Sequence, residues 1–213
     1  MADVRGAGGG AGLPLRARNA LAELLMEGLA SRGRRGSIRA ALALARGGAP
    51  EPGADQARAR SALEEAGFSP GVPWSATAIG RLEAYAAAAQ APEGVTRVAR
   101  LGQARALFAR RLYFEVHEVL EPAWLAAAGE EKRWLQGLIQ AAVAWYHAGN
   151  GNDRGAATLL AAAGEKLAGA PEVWGPLPVA PVRAALGLWA DWLEGGRLGP
   201  EPPRPFRPPG EGS

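Results

Sequence analysis

Cysteine is absent from the 213 residues, which removes disulfides, zinc–thiolate centres and thiol nucleophiles and suits a reducing compartment. Histidine occurs only at positions 117 and 147, so histidine chemistry has two addresses. Lysine is equally scarce, two against 22 arginines. Long apolar runs are missing too: no stretch approaches the roughly 18 residues of a spanning helix, and the opening MADVRGAGGGAG has no apolar signal-peptide core. A soluble, cytoplasmic protein without a membrane partner is the expectation. Nowhere does the chain alternate β-branched and polar residues as a half-buried strand does.

What is present is enough apolar residue, 48%, to bury a real core, with seven tryptophans as packing anchors. The sequence pI is about 9.8 although the formal net charge is only +3. That charge is uneven. Residues 1–100 carry 13 arginines against 9 acids, whereas residues 101–213 carry 11 basic residues against 12 acids. A basic partner surface is therefore expected in the first half.

Helix formers with apolar residues three or four apart fill almost every segment, predicting an all-α antiparallel helical bundle with an N-terminal helical accessory region. The domain reading is a flexible N-terminus at 1–14, accessory helices at 15–91, a bundle at 96–195 and a Pro-rich disordered tail at 196–213. Helices begin near Leu15, at Ser37 as a cap, near Asp55, after Ser75 and after Thr96. The stretch APEG, Ala91 to Gly94, parts the halves. Asn152 caps DRGAATLLAAAGEKL, and Pro181 opens the last helix. No sheet is required.

The stretch FEVHEVLEPAW, Phe114 to Trp124, sets a histidine and three carboxylates in an apolar helix. Rotation by ~100° per residue lines up Tyr113, Val116, Leu120 and Trp124, puts His117 and Glu121 at the edge of that stripe and Glu118 at its border, and turns Glu115 to solvent. The helix from Arg133 to His147 is apolar nearly all round, which makes it the central, buried one. Its polar exceptions, Gln136, Gln140 and His147, fall within ~40° of one another. Pointing that stripe at His117 and Glu121 gives each group a partner, and one polar cluster between two helices follows.

These motifs, namely HEVLE at His117 to Glu121, Trp124, LQGLIQ at Leu135 to Gln140, the Tyr146–His147 pair and GN-x-x-GA at Gly151 to Ala156, resemble the bacterial family called domain of unknown function 309 over roughly Ala99 to Gly195. The resemblance implies a small all-α fold and no activity. Pro122 departs from the family pattern; it removes a backbone donor and is expected to kink or end its helix.

Three readings of the cluster stand side by side. It is a hydrogen-bonded network fixing helix register. Or it is a metal site, with His117, Glu121 and His147, joined by Glu118, holding a divalent ion such as Mn, Fe or Mg. Or it is a metal-free site in which His117, oriented by Glu121, serves as general base and Gln140 helps hold a substrate, with Glu118, Gln136, Trp124, Tyr146 and Asn152 lining a ligand. An alternative of another class is an interaction or nucleic-acid-binding protein using SRGRRGSIR, Ser31 to Arg39, where arginines surround a helix start.

Overall fold

The computed structural model describes residues 13–68 and 74–207. The expected flexible N-terminus lies outside the described residues except for Leu13 and Pro14. The fold is all-α: nine α-helices and one two-stranded hairpin make up the regular structure of the described residues, apart from a single 3-10 turn. The chain forms two compact units, 1–94 and 95–213, meeting at the end of APEG.

The first unit holds α1 (Leu15–Ala30), a 3-10 turn (Arg32–Arg34), α2 (Arg35–Ala45), α3 (Ala54–Glu65) and α4 (Ala76–Ala88). Its core is built on Leu21, Leu25, Ile38, Leu82 and Tyr85, all fully buried. Helices α1 and α2 approach closely because Gly28 has no side chain; a Cβ there would lie 2.6 Å from the Ile38 terminal carbon. Ser75 caps α4 by accepting from the Ala78 N–H, as its position predicts. Ser37 does not cap. The helix starts two residues earlier, and Ser37 is buried inside it, donating to Asp55 Oδ1 at 2.8 Å.

In the second unit, α5 (Arg97–Ala109), α6 (Tyr113–Ala126), α7 (Gly129–Gly149), α8 (Asp153–Leu167) and α9 (Ala180–Glu194) follow one another. The strands β1 (Val173–Trp174) and β2 (Leu177–Pro178) form a short antiparallel hairpin between α8 and α9, a small addition to the expected sheetless chain. Caps at Thr96 and Asn152 fall where expected. The long α7 packs against α6 on one side and α8 on the other, which is why its apolar residues run nearly all round. At the α7–α8 crossing a Cβ on Gly137 would meet Leu167 Cγ at 2.8 Å, so only glycine allows that approach. Pro122 sits inside α6 without ending it.

An aromatic cluster closes one side of this unit. Trp145 meets Phe108 edge-on at 5.7 Å, and Tyr113 and Trp189 complete it. Trp145 is 1% exposed, but Trp134, expected to be as buried, is only half-buried and packs edge-on against Trp174 of the hairpin.

The Pro-rich tail needs a correction. It forms no helix or strand, as its prolines dictate, yet the described part is docked, not disordered. Trp189 Nε1 donates to the Pro203 carbonyl, the Arg204 guanidinium lies over the Tyr113 and Trp189 rings at 5.3 and 5.0 Å, and Phe206 meets Phe108 at 6.0 Å. An extended segment needs no internal hydrogen bonds to be held when aromatic and cationic anchors hold it from outside.

Candidate functional site

Helices α6 and α7 are joined by only Ala127 and Ala128, so they run antiparallel. The Lys132 ammonium sits 4.9 Å over the Trp124 ring, which sets their register. Counting back from that pair places Gln140 level with Val116 and His117, and Gln136 level with Leu120 and Glu121.

His117 is oriented by a carboxylate, though not the expected one. Its Nδ1 lies 3.1 Å from Glu118 Oε1, whereas Nε2 is 4.0 Å from Glu121 Oε1. The bond to Glu118 raises the His117 pKa above its ordinary value; partial burial opposes the shift, and the charges of Glu118 and Glu121 add to it. Nδ1 is thereby engaged, and the nearest charge to Nε2 is Glu121. All three side chains are about one-third to one-half exposed, at 32%, 34% and 44% for His117, Glu118 and Glu121.

Gln140 contributes an orphan: its Oε1 is buried and has no hydrogen-bond partner among the described residues. Trp124 Nε1, farther down α6, is in the same condition. Gln136 and Tyr146 are half-buried, and Tyr146 packs its ring against His147 at 6.2 Å.

His147 and Asn152 belong to a separate structure. Asn152 Oδ1 accepts from the Gly155 N–H at the start of α8, so its Nδ2 is turned to His147 Nδ1 at 3.0 Å. An amide nitrogen only donates; His147 Nδ1 therefore accepts, and the ring carries its proton on Nε2. The metal set His117, Glu121 and His147 is thus not assembled. No group of three or more His, Asp or Glu side chains among the described residues is placed to hold a metal ion. Seven residues separate Gln140 from His147, which lifts His147 about 10 Å along the axis. Asn152, read as a ligand contact, is a helix cap.

Glu115 corrects another expectation. It is 0% exposed rather than solvent-facing. Helix α6 has neighbours on two sides, α7 and α5, so a second stripe, Glu115 and Val119, is buried as fully as the first. Gln103 on α5 is 1% exposed, and Arg100 Nη1 donates to the Val119 carbonyl at 2.8 Å. This polar layer between α5 and α6 was missed. The signal was Gln103 itself, four residues from both Ala99 and Leu107 on the buried side of α5.

The segment comprising most of α5, all of α6 and α7 and the start of α8 now carries the motifs in place. Residues 101–159 match the family described as domain of unknown function, DUF309. The DUF309 segment contains the whole α6–α7 polar face and the Asn152 cap, and it is shorter than the span over which the resemblance was drawn. No curated protein and no solved structure matches the chain.

Proposed function

We propose that the DUF309-containing unit is a ligand-binding helical module, and that its α6–α7 face takes a small polar ligand between His117 and Gln140. The observation that carries this reading is the buried, unpartnered Oε1 of Gln140, level by helix counting with a histidine held through Nδ1 by Glu118. An unsatisfied buried acceptor costs roughly 1–3 kcal/mol, which a ligand donor at Gln140 would recover. Here a ligand hydroxyl or amine donates to Gln140, and protonated His117, held by Glu118, donates from Nε2 to an acceptor on the same molecule. Glu121 and Gln136, one turn along, border the site. The His117–Glu118 pair has the form of a base and its orienting carboxylate, so proton exchange with the ligand is within its means.

The metal reading is not carried forward, since the donor geometry does not support it. The nucleic-acid alternative loses ground as well: Arg32 pairs with Glu93 at 3.0 Å, Arg34 with Glu27 at 3.4 Å, and Arg35 donates to the Gly28 and Ala91 carbonyls. No helix of the described residues is long and apolar enough to cross a membrane. A bacterial, cytoplasmic setting, with residues 15–91 as an accessory region, completes the proposal.

The test is a thermal-shift screen of small hydroxyl- and amine-bearing compounds against the full chain and its Gln140→Met variant. A compound that stabilises the wild type but not the variant supports the reading. A screen in which every stabilising compound acts equally on both chains overturns it.

A further inference from the structure

A cleft lies between α5 and the docked C-terminal segment, lined by none of the His117-face residues. It has a volume of about 460 Å³ and is lined by Gly102, Arg105, Ala106, Arg110, Phe206 and Arg207 among others. Three arginines line this cleft, and no acidic residue does. Among the described residues none of the three pairs with an acid. Arg105 makes only a 3.5 Å contact to the Pro176 carbonyl, and Arg110 bonds the Ala106 carbonyl one turn back.

Single arginines without an acidic partner occur elsewhere among the described residues, Arg100 and Arg133 among them, but three of them share this cleft. Arg46, Arg97, Arg183, Arg197 and Arg204 each have an acidic partner. The grouping does not follow from a general excess of positive charge, because residues 95–213 carry 13 basic residues against 12 acids. Like charges gathered without counter-charges repel one another, at a cost that a bound anion would remove. Burial already depresses the Arg110 pKa, as expected of a cation removed from water with no anion beside it.

We propose that this cleft binds a small phosphorylated ligand, with Arg105, Arg110 and Arg207 on its phosphate oxygens. Guanidinium forks match phosphate geometry two bonds at a time. Gly102 and Ala106 keep the α5 wall low, and the Phe206 ring offers an apolar surface to the uncharged part of the ligand. The volume is that of a small-molecule site. It is not an extended basic groove, which a nucleic-acid strand would need.

The C-terminal segment builds one wall of the cleft, and Arg204 pins that segment. Its guanidinium lies between the Tyr113 and Trp189 rings, bonds the Tyr113 hydroxyl and pairs with Glu201 at 2.6 Å. Arg207 and Phe206 follow directly, so their position over α5 depends on that pin. Arg204 is thus a positioning residue for the cleft and does not itself contact the ligand.

Calorimetric titration of the full chain at low ionic strength tests the proposal, with inorganic pyrophosphate as the probe and adenosine triphosphate and a short single-stranded oligonucleotide as parallel arms. Saturable pyrophosphate binding is expected. It should weaken about tenfold or more in Arg105→Gln and in Arg110→Gln, weaken in Arg204→Ala, and stay unchanged in Arg39→Gln, an exposed arginine of the other unit. Tighter binding of the triphosphate, lost in the same variants, would support the proposal and identify a nucleotide as the source of the phosphates. The proposal is overturned by no saturable binding of pyrophosphate or triphosphate, by binding that survives Arg105→Gln combined with Arg110→Gln, or by binding of the oligonucleotide alone.

Discussion

Two faces of α6 carry the same residue type and treat it in opposite ways. Toward α5, Glu115 is 0% exposed in a layer with buried Gln103. Toward α7, Glu118 and Glu121 stay 34% and 44% exposed beside His117 and the orphan Oε1 of Gln140. A carboxylate removed from water is costly, and one oxygen of Glu115, Oε2, is like Gln140 Oε1 a buried acceptor without a hydrogen bond among the described residues. A carboxylate left at the rim stays open to solvent and to ligands. The first face belongs to the architecture of the bundle and the second to what the bundle binds.

Breaking the first face should have the largest effect. Glu115→Ala strands the groups that meet a fully buried carboxylate and is expected to destabilise by about 3 kcal/mol, read as a shift in the urea midpoint. A loss within error of zero would mean that the buried layer contributes nothing and that the contrast between faces is not real.

The second face is probed by pH. His117 has a folded-state pKa above 6.5, so its protonated form favours the fold. Its contribution is complete below the unfolded value near 6.5 and is lost as pH climbs through the raised midpoint. Glu118→Gln removes the largest raising cause and should lower that midpoint, followed by the ring signals in an NMR titration. Glu121→Gln, acting only through its charge at 4.0 Å, should lower it less. An equal or larger shift in Glu121→Gln would restore Glu121 as the orienting carboxylate.

The smallest expected effect is on stability at the same face. Glu121→Ala should cost at most about 0.5 kcal/mol, because a half-exposed pair at that separation is screened by water. A loss above 2 kcal/mol in chemical denaturation would show that Glu121 belongs to a buried network.

Much of this fold was legible in the chain. Ser75, Thr96 and Asn152 announced helix starts through side-chain oxygens placed to accept from the first turn, and the all-round apolar character of α7 announced its central place. The site was legible in part. Rotation put Gln136, Gln140 and His147 on one line of α7, but rotation ignores rise and so placed His147 at the level of the other two. It also assumes one neighbour per helix, and that assumption turned Glu115 outward when α6 is held between two. The arginines of the first unit looked available because their partners, Glu93 for Arg32 and Glu27 for Arg34, are named only by the fold. Those of the second unit looked dispersed, because nothing in a Pro-rich tail says that Arg204 is clasped by two rings and carries Arg207 back to α5.

The most direct test of the contrast is a paired urea denaturation of Glu115→Ala and Gln140→Met in one buffer without added ligand. Methionine has nearly the volume of glutamine and removes the unanswered acceptor, so Gln140→Met should be more stable than the wild type by about 1 kcal/mol, while Glu115→Ala is less stable. Opposite signs are the predicted result. Destabilisation by both variants would contradict the account, because Gln140 would then be a working member of the bundle's own structure.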